Sequence, residues 1–155
     1  MKTEKAVFAA GCFWGVQAAF DKIKGVKKTF VGYTGGRTQN PSYKDVCTDE
    51  TGHAEAVLVE FEPEKVSYER LLEVFWSIHD PTQVNKQGPD TGTQYRSAIF
   101  YFDDKQKSAA EKSKKREQKK LKKPIATEIS PSKEFYPAEE YHQKYLKKRG
   151  EKTCH

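Results

Sequence analysis

Two strand–helix–strand passages, one after the other, constrain this chain more than any other feature. Lys5 to Ala10 is a short apolar run that reads as a buried strand. Trp14 to Ile23 then spaces Val16, Ala19, Phe20 and Ile23 as one face of a helix, which Lys24-Gly25 closes. Val26 to Tyr33 returns as a strand. In the second passage Ala54, Val57, Val59 and Phe61 alternate, imperfectly, with Glu55, Glu60 and their neighbours. Ser67 is placed to cap a helix whose apolar stripe is Leu71, Leu72, Phe75 and Ile78. Ser97 to Phe102 is the closing strand.

A basic helix follows, opened by Asp103-Asp104 and stopped by Pro124. Ile125 to Ile129 reads as an edge strand, and Pro137 to Lys148 as a last helix. The first six elements match a split βαβ plan of the ferredoxin-like kind. The expected class is therefore α+β: a two-layer core with an added C-terminal helix and a loop-rich tail. One domain over 1–155 is the simplest account, with 149–155 a mobile polar tail. The chain is polar, but 12% aromatic residues supply the area that a core needs.

Two long loops separate these elements, Gly35 to Gly52 and Pro81 to Tyr95. Loops of that length in a compact domain usually carry function. The net charge of +6 comes from dense runs at Lys105–Lys123 and Lys144–Lys152. Such runs raise the question of nucleic-acid binding. No zinc-finger, RNP or KH pattern goes with them, and Lys105–Lys123 has no interleaved aromatic residue, so a solvated helix face is the expectation. No apolar stretch approaches the ~20 residues of a membrane span. Lys2 and Lys5 before Ala6–Cys12 faintly imitate a lipoprotein signal, but the apolar run falls short of the ~7–15 residues needed. A cytoplasmic protein is expected. Three cysteines, Cys12, Cys47 and Cys154, close no disulfide framework and point to catalysis or redox sensing.

Gly11-Cys12-Phe13-Trp14-Gly15 puts a cysteine where a strand ends and a helix begins. Unpaired N–H groups and the positive dipole end there favour a thiolate. Phe13 and Trp14 could form an apolar cup beside it. Position alone admits a second reading, a buried structural thiol with two core aromatics. In Thr51-Gly52-His53-Ala54-Glu55, burial would raise the pKa of Glu55 and make it a general acid; a surface Glu at a strand end is the other reading. Gly88 to Ser97 offers Asp90, Gln94, Tyr95 and Arg96, or else an Asx-type turn. Tyr43 is a phenol in the first loop. His53, His79 and His142 leave a cysteine hydrolase open. Zinc spacing, a phosphate loop and a dinucleotide fingerprint are lacking, so neither a metal nor a cofactor is expected.

The motifs GCFWG, VGYTGG, NPSY, TGHAEAV, FW.IHDPT and GTQYRSAI, in that order, resemble the peptide-methionine (S)-S-oxide reductases, the A-type methionine sulfoxide reductase family, from about Val7 to about Leu146. The resemblance implies Cys12 as the nucleophile on the sulfoxide sulfur and Glu55 as the acid that protonates its oxygen. It implies Tyr43 and Tyr95 as phenols that bind that oxygen, Asp90 as a positioning carboxylate, and Phe13 and Trp14 as the walls around the substrate methyl group. The Cys12 sulfenic acid would be resolved by Cys154 in preference to Cys47, and the disulfide reduced by thioredoxin. Free or protein-bound methionine sulfoxide is the implied substrate. A monomer is expected, since nothing in the sequence demands a dimer.

Overall fold

The computed structural model describes residues 3–36, 41–46, 51–88 and 90–139. The strands are β1 (Glu4–Ala10), β2 (Val26–Thr34), β3 (Ala54–Phe61), β4 (Lys86–Gln87), β5 (Asp90–Thr91), β6 (Ser97–Tyr101), β7 (Glu128–Pro131) and β8 (Tyr136–Pro137). The helices are α1 (Phe13–Asp21), α2 (Tyr43–Val46), α3 (Tyr68–Ser77) and α4 (Asp104–Gln118), with a 3-10 turn at Thr93–Tyr95. The fold is a mixed α/β one on a mostly antiparallel six-stranded sheet of order β7-β6-β1-β3-β2-β8. Only β6–β7 is parallel, joined by the crossover helix α4.

The cap chemistry explains where the helices begin. Ser67 Oγ accepts from Arg70 N–H at 3.1 Å, and Asp103 Oδ1 from Gln106 N–H at 2.8 Å. Within the first long loop, Ser42 and Asp45 exchange side-chain-to-backbone bonds at 3.0 and 3.1 Å and so start α2, a turn that hydrophobic periodicity does not register. The second loop, read as irregular, contains the small β4–β5 hairpin and the 3-10 turn. Helix α4 stops well before Pro124. The Gln118 side chain folds across its end, bonding Lys123 O and Ile125 N–H. With the Ile125 N–H bound there and that of Ala126 bound to Pro81 O, β7 starts at Glu128 rather than at Ile125. At the expected last helix, Tyr136–Pro137 is instead the edge strand β8, and 140–148 lie outside the described residues.

One sheet face packs on the helices. Phe8 stacks on Phe20 at 5.1 Å and meets Phe75 at 5.5 Å and Tyr68 at 5.9 Å, beside Val57, Val59 and Phe61. Truncating such a ring costs about 3–5 kcal/mol. The other face is lined by small residues, Ala9, Ala54, Ala56 and Ala98, with Val7 and Phe100. Residues 132–135 cross it as a strap between β7 and β8: Thr34 Oγ1 donates to Glu134 O at 2.8 Å, and Phe135 packs on the small-residue patch. Gly32 lets the strap pass, since a Cβ there would meet Phe135 ring carbons and the Tyr136 carbonyl. Both faces of β3 are thus covered. Glu55, read as opposing Val57 and Phe61, shares their helix-side face because all three positions are odd-numbered on one strand.

Candidate active site

Strand β1 ends at Ala10, and Gly11 turns the chain with φ +98, a conformation that side chains resist. A Cβ on Gly11 would also lie 2.9 Å from Gln87 Cβ and Cγ. Cys12 then stands as the N-cap of α1 with φ −58 and ψ 120, half-buried and not in a disulfide. Its thiol sits at the positive end of a nine-residue helix, where a thiolate is favoured.

The first N–H of that helix, from Phe13, donates to Glu55 Oε1 at 3.3 Å. Glu55 is the second residue of central strand β3 and is only 1% exposed. Its pKa is raised well above the ordinary 4.5, first by burial and then by the charge of Cys12, with Asp90 adding a smaller push; the Phe13 N–H works the other way. Burial therefore favours the protonated form of this carboxyl. Its Oε2 is buried without a hydrogen-bond partner. With Oε1 accepting from Phe13, Oε2 is the oxygen left available to carry a proton. A thiol favoured as thiolate and a carboxyl favoured as acid face one another through opposite environments.

Aromatic rings surround this pair. Phe13 is buried and central: its ring lies 5.7 Å from Tyr33, 6.4 Å from Trp14 and 6.4 Å from Tyr43. Trp14 and Tyr43 are half-exposed, whereas Phe13 is buried. Tyr95 ends the 3-10 turn, which packs against β3, the strand that carries Glu55. Cys12, Glu55, Asp90, Phe13, Trp14 and Tyr43 are thus brought to one end of the sheet, with Tyr95 on the adjoining turn. Cys47, Cys154 and His142 lie outside the described residues.

Sequence reasoning missed two neighbours. Tyr33 sits directly across from Glu55 in the β2–β3 register and is fully buried. Glu139 accepts from the Tyr43 N–H with both oxygens at 3.3 Å and from the Tyr33 O–H at 3.4 Å. It ties the chain after β8 to two rings that flank Phe13. The signal for Tyr33 was its place in a strand beside the loop; for Glu139 no local pattern existed, because its partners are about a hundred positions away in sequence.

Of the three candidate bases of the hydrolase reading, His53 and His79 are among the described residues. His79 uses Nδ1 on Phe75 O at 2.8 Å and Nε2 on Ser97 Oγ at 2.7 Å, and burial lowers its pKa to about 4. His53 Nδ1 accepts from the Gly36 N–H at 3.0 Å. Both His79 nitrogens are thus engaged on backbone and on β6, and His53 Nδ1 on the backbone of Gly36. Among the described residues no group of three or more His, Cys, Asp or Glu could hold a metal, and no helix is long and apolar enough to cross a membrane.

A thiol on a helix N-terminus, set beside a buried carboxyl whose acid form burial favours, fits a thiol-dependent oxidoreductase. The sequence model of the family described as peptide methionine sulfoxide reductase matches residues 4–155, and the chain belongs to that family. It is 59% identical over 149 residues to the peptide methionine sulfoxide reductase MsrA of Methanosarcina acetivorans, covering 95% of this chain and 79% of that one. The crystal structure of Mxr1 from Saccharomyces cerevisiae in reduced form superposes with a TM-score of 0.92 at 40% identity, covering 96% of this chain and 87% of that one. Mxr1 in complex with Trx2 gives a TM-score of 0.67 at 27% identity, covering 93% and 85%.

Proposed function

We propose that this chain reduces methionine S-sulfoxide, free or in proteins, to methionine. The observation that carries the reading is the Glu55 carboxyl: buried, favoured in its protonated form by that burial, bonded through Oε1 to the helix that Cys12 caps, and presenting an unpartnered Oε2. A sulfoxide oxygen leaves sulfur readily only once protonated, so a thiolate needs such an acid beside it. In the step, the Cys12 sulfur attacks the sulfoxide sulfur and the Glu55 proton goes to the sulfoxide oxygen. Methionine sulfur is reduced by two electrons, and Cys12 is oxidised to a sulfenic acid that keeps the oxygen. Tyr43 and Tyr95 hydrogen-bond the oxygen, Asp90 helps keep Glu55 protonated, and Phe13 and Trp14 enclose the methyl group.

Cys154 then attacks the Cys12 sulfur. A Cys12–Cys154 disulfide forms and the oxygen leaves as water. The relative solved with Trx2 supports thioredoxin as the reductant that returns both thiols. We further infer a cytoplasmic monomer of one domain whose tail, 149–155, carries the resolving cysteine. The order β6-β1-β3-β2 with two crossover helices supports reading its core as a ferredoxin-like split βαβ. The test is turnover of a methionine sulfoxide peptide with dithiothreitol. Methionine must appear with the wild type and not with Cys12→Ser. For resolution, one equivalent of substrate without reductant should remove two thiols per chain. If Cys154→Ser still loses two, Cys47 is the resolving residue.

A further inference from the structure

The strongest charged feature of the molecule lies outside the site but at the same end of the sheet. Lys105 to Lys123 carries ten Lys or Arg residues against two Glu, and its last stretch, Gln118-Lys119-Lys120-Leu121-Lys122-Lys123, holds four lysines and no acid. The fold fixes where that stretch lies. Ser97, the first residue of β6, pairs with Ala10, just before Cys12. Strand β7 runs parallel to β6 and starts level with Ala98. The segment that joins α4 to β7 must therefore sit at the Cys12 end.

Hydrogen bonds pin it there. Ala126 N–H bonds Pro81 O at 2.8 Å, and Ser97 Oγ pairs with Thr127 Oγ1 at 2.7 Å. Pro81 begins the loop whose Gln87 lies over Gly11. Gln87 is locked to Asp80 by two bonds of 2.8 Å, Asp80 N–H to Gln87 Oε1 and Gln87 Nε2 to Asp80 O. Lys123 in turn lies close enough to Asp80 to add its charge to the Thr82 and Gln83 hydrogen bonds that hold that carboxyl below its usual range. A continuous path thus leads from Cys12 over Gln87 and Asp80 to the lysines.

All four lysines are exposed. Lys120 meets Glu117 at 3.4 Å, and nearby Glu128 is taken by Arg96 at 3.2 Å. Among the described residues Lys119, Lys122 and Lys123 make no ion pair. The ridge thus keeps most of its positive charge at the Cys12 end of the sheet. Lys119 and Lys120 share a groove with Trp76, Glu69, Glu73 and Glu117, but Trp76 is only 6% exposed and offers no open ring face for stacking, which argues for polypeptide carboxylates over nucleobases as the ligands of the ridge.

Resting on the reductase reading, we propose that Lys119, Lys120, Lys122 and Lys123 are a docking ridge for acidic stretches of polypeptide substrate, so that oxidised methionines flanked by Asp or Glu are reduced in preference to those flanked by Lys or Arg. An extended peptide advances about 3.3–3.6 Å per residue. A peptide several residues long with its methionine beside Cys12 is therefore long enough to run along this end of the sheet towards the ridge. Surface charges of this kind act through encounter and weak binding, so the effect falls with ionic strength.

The experiment measures kcat/KM with dithiothreitol on methionine sulfoxide peptides carrying Glu or Lys a few residues to either side, and on uncharged N-acetyl-methionine sulfoxide. The wild type should favour the acidic peptide by roughly five- to tenfold at low salt, with the preference collapsing at high salt. The K119Q/K120Q/K122Q/K123Q chain should lose the preference, and the matching Glu chain should reverse it, while both keep the wild-type rate on the uncharged substrate. A wild type without preference, or a preference that survives the Gln chain, overturns the proposal. So does a Gln chain impaired only when thioredoxin replaces dithiothreitol. Failure of the reductase reading looks different: no chain would turn over even the uncharged substrate.

Discussion

His79 gives the sharpest stability prediction. Its ring stands 4.5 Å from Phe75 and has both nitrogens engaged, on Phe75 O and Ser97 Oγ. In the unfolded chain it takes a proton near 6.5; in the fold, where burial opposes the charge, it does so at about 4. Above pH 6.5 both states are neutral and the site's contribution is intact. As pH falls from 6.5 towards 4, the unfolded state gains a proton that the folded state refuses, and stability drains away. Each pH unit of that gap is worth about 1.4 kcal/mol, so roughly 3 kcal/mol is lost across the window. Glu55 acts in the opposite sense: with its folded pKa raised above 4.5, acidification towards 4.5 adds stability. A difference measurement removes it. Urea unfolding of the reduced protein at fixed ionic strength, repeated from pH 7 to pH 4, should show the wild type losing its advantage over His79→Gln by about 3 kcal/mol. Parallel profiles for the two chains would refute the reasoning.

Three further outcomes follow from the site and its supports. Glu55→Gln keeps an oxygen for the Phe13 N–H but has no proton to give; kcat/KM on a methionine sulfoxide peptide should drop by about 10²–10⁴, and the alkaline fall in wild-type activity, where Glu55 ionises, should vanish. Glu139→Ala should free Tyr43 and Tyr33 and raise KM several-fold more than it lowers kcat, with Glu139→Gln recovering most of the loss because one acceptor oxygen remains. Gly36→Ala would place a methyl against the backbone of Thr51, Gly52 and His53, atoms that cannot swing aside, so the thermal midpoint should fall by the equivalent of about 1–3 kcal/mol.

What the sequence made legible was local chemistry. Ser67 and Asp103 announced their helices through the same oxygen atoms that cap them in the fold. Gly11 and Cys12 marked a strand-to-helix turn because no other residue pair explains a break after an apolar run so cleanly. The errors came where distant parts of the chain decide. The odd-numbered face of β3 could not be assigned by polarity, since the strap at 132–135 buries the even face as well and an ionisable residue, Glu55, stands on the inner one. The start of β7 moved because Gln118 and Pro81 claim the preceding N–H groups. Glu139 was silent for the same reason: its role exists only once β8 has paired with β2. Motif resemblance supplied the site residues, and geometry supplied why Glu55 can hold a proton there.

The most direct test of the account is a single turnover of the Cys154→Ser chain with one equivalent of a methionine sulfoxide peptide and no reductant. One methionine should form per chain, and mass spectrometry should find one added oxygen, on the peptide that contains Cys12, capturable by a dione reagent selective for sulfenic acids. Methionine formed with Cys12 left unoxidised, or an oxygen found on another residue, would contradict it.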